Sequence, residues 1–380
     1  MPSKAPGDFG PQLLLREAVA RRNLTRMAAK ARRVGVDFRP HFKTHQSAPI
    51  GEWYRAAGVD RITVSSVPMA QYFAAAGWDD ILVAIPVDLR ATAAIAELSR
   101  KIRFHVLVDH ADAIAGLESA VGDDLRVWLE VDVGDGRTGV RWDNALHLRE
   151  LARKIEFSPN LHFAGLLAHA GHAYAARGPE AIRAVHQSSM EALAEAKNTL
   201  TTAGIPVRAV STGDTPTCSL ADSFPGITEI RPGNFIFYDL MQAQIGACTN
   251  DDIAVALKVP VIGRYPRRNE FVVHGGAVYL SKDALTAEQT GRFFGRVARL
   301  TAAGWGPVMG DTWVRALSQE HAVIRTTPEQ LAAIAVGDPL AILPVHSCLT
   351  ADIMGQYVLT DGPRAGTIMP TWRQPAVLER

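Results

Sequence analysis

The sequence has little cysteine, almost no net charge and no long uninterrupted apolar run. Among its 380 residues are three cysteines, Cys218, Cys248 and Cys348. An odd, scattered set excludes a disulfide-built scaffold and points to a reducing compartment. Lysine and arginine number 40 against 39 aspartates and glutamates, for a formal net charge of +1. That balance provides no footprint for a nucleic-acid or acidic-membrane partner. No apolar run is long enough to span a bilayer, and Met1 to Gly10 is polar and Pro/Gly-rich, without the apolar core of a secretory signal. The expectation is a cytoplasmic protein with a small-molecule partner, no nucleic acid and no membrane.

The chain has a hydrophobic fraction of 47% and a charged fraction of 21%, ordinary for a globular protein, and is long enough for two domains. Arg16 to Arg33 has helical spacing, with Val19, Leu24, Met27 and Ala28 on one face. β-rich runs then follow at Val36–Lys43, Asp60–Ser66, Ile81–Val87, Phe104–Asp109, Arg126–Val133, Phe163–His169, Val207–Thr212 and Glu229–Tyr238. Helical patterns separate most of them, at Gly51–Ala57, Pro68–Ala76, Ala91–Lys101, Ala111–Ala120, Ala145–Lys154 and Glu180–Thr202. Eight strands alternating with helices predict an α/β (β/α)8 TIM-type barrel. A doubly wound sheet competes, but no G-x-G-x-x-G follows the first strand. After Cys248 the pattern changes to strands and turns at Ile253–Tyr265, Glu270–Leu280, Val308–Leu317, Glu320–Thr326 and Pro339–Leu343, with a poorly patterned tail from Arg364. This predicts a barrel over 1–247 and an all-β domain over 248–380.

In a barrel, chemistry gathers at the C-terminal strand ends. Here those ends carry Lys43 with His45, Asp109, Asp132 with Arg137, His169 with His172 and Tyr174, Ser211 to Thr215, and Arg231 with Gly233, Asn234 and Tyr238. A buried lysine at such a place is the residue type that forms Schiff bases with carbonyl compounds; an exposed strand-end charge is the plain alternative. Ser211–Thr217 has the hydroxyls and glycine of a phosphate cradle, and an ordinary helix N-cap explains it equally well. Together, a lysine and a phosphate cradle point to pyridoxal phosphate.

The stretch Arg39-Pro40-His41-Phe42-Lys43-Thr44-His45-Gln46-Ser47 resembles the R-P-H-x-K-T-H-K signature of the D-serine dehydratase and D-threonine aldolase family, alanine-racemase-type pyridoxal-phosphate enzymes. Further segments are similar in the same order: Glu130 to Gly139, His169 to Tyr174, Ser211 to Thr217, Glu229 to Asp239, Ser318 to His321, and Pro344 to Thr350. Three positions depart from the family pattern. Gln46 replaces a lysine, Val273-His274-Gly275-Gly276 stands where V-D-A-G is common, and Gly10-Pro11 replaces T-P. These departures bear on the substrate more than on the cofactor.

The resemblance implies roles residue by residue. Lys43 would hold the cofactor aldehyde and act as the base at Cα. His169 would pack on the ring and Arg137 would donate to its phenolic oxygen. Arg231 would face the pyridine nitrogen; a salt bridge with Glu229 or Asp239 is its plain alternative. Thr212, Gly213, Thr215, Gly233, Asn234 and Tyr238 would hold phosphate. Tyr174 is a second candidate for cofactor contact and proton transfer. His346 and Cys348, two residues apart on a segment read as extended, would face one side and hold a divalent metal. Zinc fits that pair, with manganese or magnesium as alternatives. By spacing alone H-x-C is unspecific. Relatives with H-x-C lean to dehydration and those with H-x-D to aldol cleavage, so β-elimination on a D-3-hydroxyamino acid is expected. The alternatives are an aldolase of D-threonine type, an amino-acid racemase and a non-catalytic carrier of the cofactor. The resemblance also implies a homodimer.

Overall fold

A computed structural model describes residues 10–122 and 125–373. Residues 1–9, which hold most of the polar N-terminal stretch, residues 123–124, and residues 374–380 at the end of the tail lie outside the described residues. By its contacts the chain parts into two units. One comprises Leu24–Phe235 with Ile245–Ala247; the other comprises residues 10–23, Ile236–Gln244 and residues 248–373.

The chain begins with strand β1 (Gln12–Leu15) and helix α1 (Glu17–Val34). An acid opens α1 and Arg32 and Arg33 close it, each favourable to the helix dipole. Leu24, Met27, Ala28 and Ala31 repeat at three- and four-residue spacing and are buried. Gly35, at φ +71°, then turns the chain out of the helix.

The first unit is a parallel barrel. Its strands are β2 (Asp37–Phe38), β3 (Ile62–Val64), β4 (Asp80–Pro86), β5 (Arg103–Val108), β6 (Leu125–Asp132), β8 (Leu161–Leu167), β9 (Val210–Thr212) and β10 (Glu229–Ile230), while β7 (Val140–Arg141) adds to β6. They pair in chain order. The ring closes where β10 pairs with β2 and the chain beyond β2 bridges β3 at His41 and Thr63. The helices between them are α2 (Ala48–Ala56), α3 (Val67–Ala75), α4 (Thr92–Ser99), α5 (Ala111–Ala120), α6 (Ala145–Glu156), α7 (Pro179–Thr202) and α8 (Thr215–Leu220). Ser66 caps α3 by accepting from Met69 N, and Pro68 lies in its first turn, where no backbone N–H is needed. Leu82, Leu107, Trp128 and Leu167 form one buried apolar cluster of the barrel strands.

The barrel also encloses charge. Arg39 lies between Asp80 (2.5 Å) and Glu229 (2.6 Å). Trp128 Nε1 donates to His105 Nδ1 at 3.0 Å, and His105 Nε2 lies 3.2 Å from Asp80. On the other side, Ser211 Oγ donates to Glu229 and accepts from Arg231 Nε, each at 2.7 Å. Glu229 and Arg231, two residues apart at β10, carry this chain of polar contacts toward the C-terminal strand ends.

The second unit is antiparallel apart from one pairing. Strands β11 (Val255–Tyr265), β12 (Glu270–His274), β15 (Gly295–Thr301), β16 (Gly304–Leu317), β17 (His321–Arg325) and β18 (Pro339–Pro344) close on themselves through β11 and β12. β1 lies between β11 (antiparallel) and β19 (Gln356–Leu359, parallel), with β20 (Ile368–Pro370) at the edge. β13 (Leu285–Ala287) and β14 (Gly291–Phe293) form a separate hairpin. Leu257, Val259, Phe271, Val273, Val297, Val314, Ile324 and Ile342 are core residues. Short helices α9 (Leu240–Gln244), α10 (Ala277–Leu280), α11 (Pro328–Ala332) and α12 (Ser347–Met354) interrupt the strands.

The strand expected over Glu270–Leu280 stops at His274, and Gly275-Gly276 turns the chain into α10. A Cβ on Gly276 would stand 2.4 Å from Gln319 O, so this turn requires glycine. Part of the tail read as unpatterned is strand β20. No disulfide joins the three cysteines. Among the described residues no helix is long and apolar enough to cross a membrane.

Candidate active site

Lys43 lies in the turn that follows β2. Phe42 anchors this turn, with its ring 4.4 Å from His45, 4.8 Å from Tyr54, 5.0 Å from Phe73 and 5.1 Å from Trp78. Lys43 N donates to His41 Nδ1, and Ser47 N donates to His45 Nδ1. Gln46 adopts φ +54° within the same turn. The backbone on both sides of the lysine is therefore fixed. The expectation of a buried amine is corrected, since Lys43 is exposed. The aromatic box takes its neighbours inward and leaves Lys43 at the strand ends. Its charge is close enough to act on two histidines. Burial, then Lys43, push His41 well below the ordinary imidazole range, and the same two causes lower His169 to about 3. Both rings are neutral near pH 7.

His169 Nδ1 donates to Gly213 O at 3.0 Å, which fixes the tautomer and leaves Nε2 as an acceptor. Its ring centroid is 6.3 Å from that of Tyr174. Arg231 is buried, donates to Ser211 Oγ and to Ala168 O, and is lowered to about 10 by burial against the pull of Glu229 and Glu130. Its expected plain alternative, a bridge to Glu229, is pre-empted by Arg39, which takes that carboxylate. Arg137 is exposed, on a loop tied by Asp132 Oδ1, which accepts from Gly134 N and Gly136 N.

Glu130, in the motif that contains Arg137, is buried. One oxygen accepts from Thr138 and the other has no hydrogen-bond partner. Burial raises its pKa, and Arg137 and Arg231 are near enough to oppose that rise.

The loop after β9 is clamped rather than open. Gly213, at φ +151°, would place a Cβ 2.5 Å from Arg231 N. Asp214, not a hydroxyl, caps α8 by accepting from Thr217 N, and burial raises its carboxyl to about 6. Thr215 N donates to Tyr174 Oη at 3.4 Å, and Thr215 Oγ1 accepts from Phe235 N. Thr212 O accepts from Arg231 N. Gly233 packs against His41 O and Thr44, and Asn234 is buried beside it in sequence. Lys43, Arg137, His169, Tyr174, Thr212, Gly213, Thr215, Arg231, Gly233 and Asn234 all belong to the barrel unit; Tyr238, at φ +47°, belongs to the other.

These residues suit the expected cofactor. An amine suits an aldehyde, neutral imidazole offers a flat face, and guanidinium groups suit anionic oxygens. A different cavity, of about 630 Å3, is lined by Arg39, Asp80, His105 and Glu229 at the N-terminal strand ends. Barrels reserve that end for stability rather than chemistry.

In the second unit His346 is the N-cap residue of α12, and Cys348 lies in its first turn. The extended reading of this segment is corrected: the pair meets at a strand-to-helix turn, and a helix rather than strand alternation sets its geometry. His346 Nδ1 lies 2.8 Å from Asp283 Oδ2. Burial works against a charged ring here, but hydrogen bonds with Asp283 and Cys348 prevail and raise His346 to about 11. Beside it Asp239 accepts from Ser347 N and Oγ. Asp283 escaped the sequence reading because no motif marks it. An imidazole backed by a carboxylate, next to a thiol, matches zinc donor chemistry, with Asp283 as the orienting partner. Among the described residues no group of three or more His, Cys, Asp or Glu is arranged to hold a metal.

A closed parallel barrel with a lysine and neutral imidazoles at its C-terminal strand ends defines an alanine-racemase-type barrel protein. Residues 17–240 match the family described as alanine racemase, N-terminal domain, and residues 254–360 match the putative serine dehydratase domain; the chain belongs to this two-part family. It is 33% identical to D-threo-3-hydroxyaspartate dehydratase of Delftia sp. (strain HT23), over 93% of each chain. It is 30% identical to D-serine dehydratase of Dictyostelium discoideum, over 91% of this chain and 92% of that one. The solved structure of the Delftia enzyme superposes with a TM-score of 0.87 at 30% identity, covering 95% of this chain and 97% of that one. Alanine mutants of a histidine and a cysteine two positions apart have also been solved for D-threo-3-hydroxyaspartate dehydratase, the cysteine mutant in the metal-free form.

Proposed function

We propose that this chain is a pyridoxal-phosphate- and divalent-metal-dependent lyase that dehydrates D-3-hydroxyamino acids to a 2-oxo acid and ammonia. The reading rests on the thiol–imidazole pair His346 and Cys348 with Asp283 behind it. Its spacing matches the two substituted positions of the relative. A carrier of cofactor alone would need no such pair.

When bound, pyridoxal phosphate supplies an electron sink for Cα, and a divalent ion, zinc first, supplies a Lewis acid for the β-hydroxyl. Lys43 would hold the cofactor's aldehyde carbon and would take the Cα proton. His169, neutral, would pack on the ring, and Arg137 would donate to the phenolic oxygen. Arg231 has donors and no acceptor, so opposite the pyridine nitrogen it would leave that atom unprotonated. Thr212, Gly213, Thr215, Gly233, Asn234 and Tyr238 would hold the phosphate, and Tyr174 orders the loop through Thr215 N. Removing the Cα proton and the β-hydroxyl amounts to loss of water, and hydrolysis of the unsaturated amine gives the 2-oxo acid and ammonia. The active form is a homodimer.

Product analysis with D-serine, D-threonine and D-3-hydroxyaspartate tests the proposal. The expected products are 2-oxo acid and ammonia. Glycine with an aldehyde would make the chain an aldolase, and the L-isomer would make it a racemase. Bound cofactor without turnover would make it a carrier.

A further inference from the structure

The second unit holds another group of titratable side chains, built around His274. β12 ends at His274, whose cross-strand partner on β17 is His321. His274 Nε2 lies 3.2 Å from Tyr279 Oη and 3.4 Å from Glu320 Oε2. The His274 and Tyr279 rings meet edge to face at 5.5 Å. Backbone contacts fix all three residues. Gly275 N and Gly276 N both donate to Glu320 O, and Ala277 N donates to Ser318 O. No side chain fits at Gly276, so α10 is held directly against residues 318–320.

This group is physically linked to the metal-binding pair. α10 has four residues, about 6 Å of helix. At its end Leu280 O accepts from Thr350 of α12, and Asp283 holds His346. Residues 274–283 therefore carry both the His274 group and the carboxylate behind the proposed ligand. The imidazole and Glu320 side chains are 39% and 41% exposed, open enough to reach a small molecule. Among the described residues no protein group takes His274 Nδ1. One ring nitrogen against a carboxylate with the other open is the arrangement of an oriented acid–base group.

Resting on the dehydratase reading, we propose that His274, oriented by Glu320 and Tyr279, is the general acid for the departing β-hydroxyl. The Cβ–O bond breaks with its electron pair going to oxygen. The Nδ1 proton of the imidazolium moves to that oxygen and water leaves, while the Cα proton goes to the Lys43 amine. Solvent then reprotonates the imidazole.

The test compares leaving groups in the full-length holoenzyme. Hydroxide needs a proton to leave and chloride does not. His274→Asn is expected to lower kcat on D-serine roughly 100-fold and to change turnover of β-chloro-D-alanine less than about threefold. Glu320→Gln is expected to show the same pattern with a smaller loss, and supplies the measurement if His274→Asn does not fold. Equal losses on both substrates would assign His274 a structural role and overturn the proposal, as would no loss on either. A raised KM confined to 3-hydroxyaspartate, with D-serine unaffected, would make His274 a carboxylate-binding group instead. Wild-type protein inert toward all these substrates would overturn the lyase reading and this inference with it.

Discussion

Arg39 allows a test that is separate from catalysis. Its side chain is 3% exposed between Asp80 at 12% and Glu229 at 5%. Arg39→Met keeps much of the volume and removes the charge, leaving two buried carboxylates with one partner fewer. Breaking a buried ion pair from one side costs about 3–5 kcal/mol. For a unit of this size that corresponds to a melting temperature lower by roughly 10 °C. Acid sensitivity should change with it. Burial would raise the Asp80 pKa, but His105 and Arg39 outweigh it and hold Asp80 well below the usual carboxylate range. A depressed native pKa contributes stability that is complete above the unfolded-state pKa, about 3.9. That stability is lost as pH falls toward the native value. Without Arg39 the native pKa rises, so acid unfolding should begin at a higher pH. The assay is thermal unfolding followed by circular dichroism at pH 7, then an acid titration. Arg39→Met/Asp80→Asn/Glu229→Gln, which removes every unpaired charge, is expected to recover most of the loss. A single mutant melting within about 2 °C of wild type at pH 7 would refute the account.

Other outcomes follow from the site. Lys43→Ala is expected to abolish the visible absorbance of covalently held cofactor, and retention of that absorbance would reassign the lysine. Dialysis against a chelator, or His346→Ala, should remove metal by elemental analysis and abolish turnover while cofactor stays bound; full activity of metal-free protein would remove the metal from the reaction. Gly213→Ala places a Cβ 2.5 Å from Arg231 N at φ +151°. Backbone strain of about 1–3 kcal/mol plus displacement of the Arg231 backbone should weaken cofactor binding at least tenfold in a fluorescence titration.

Much of the barrel was legible because each strand and helix carries its own periodicity. Helix α5 begins and ends where its pattern does, and α7 begins a residue early. The pattern failed where pairing partners are distant or elements are very short. Glu229–Tyr238 reads as one strand, but the strand covers only Glu229–Ile230, and Asn234–Ile236 is a helical turn. Nothing local marks Gln12–Leu15 as a strand of the second unit. The signature around Lys43 was visible, but its exposure was not, since an aromatic cluster drawn from three further segments sets it. H-x-C was visible as a pair, while the helix beginning between its two residues, and Asp283 behind it, depend on the tertiary fold. Arg39, the first residue of the signature stretch, could be read as a motif letter but not as the bridge between Asp80 and Glu229.

The placement of β1 bears on how the protein is made. Gln12–Leu15 leaves the ribosome before every barrel strand, yet it pairs with Val255 to Lys258 and with Val358 and Leu359. The barrel strands can assemble while synthesis continues. The second sheet has to wait for the C-terminal part of the chain, with an apolar strand held unpaired meanwhile. Cutting the gene at the Ala247–Cys248 junction would therefore yield a sheet lacking an interior strand rather than an independent domain.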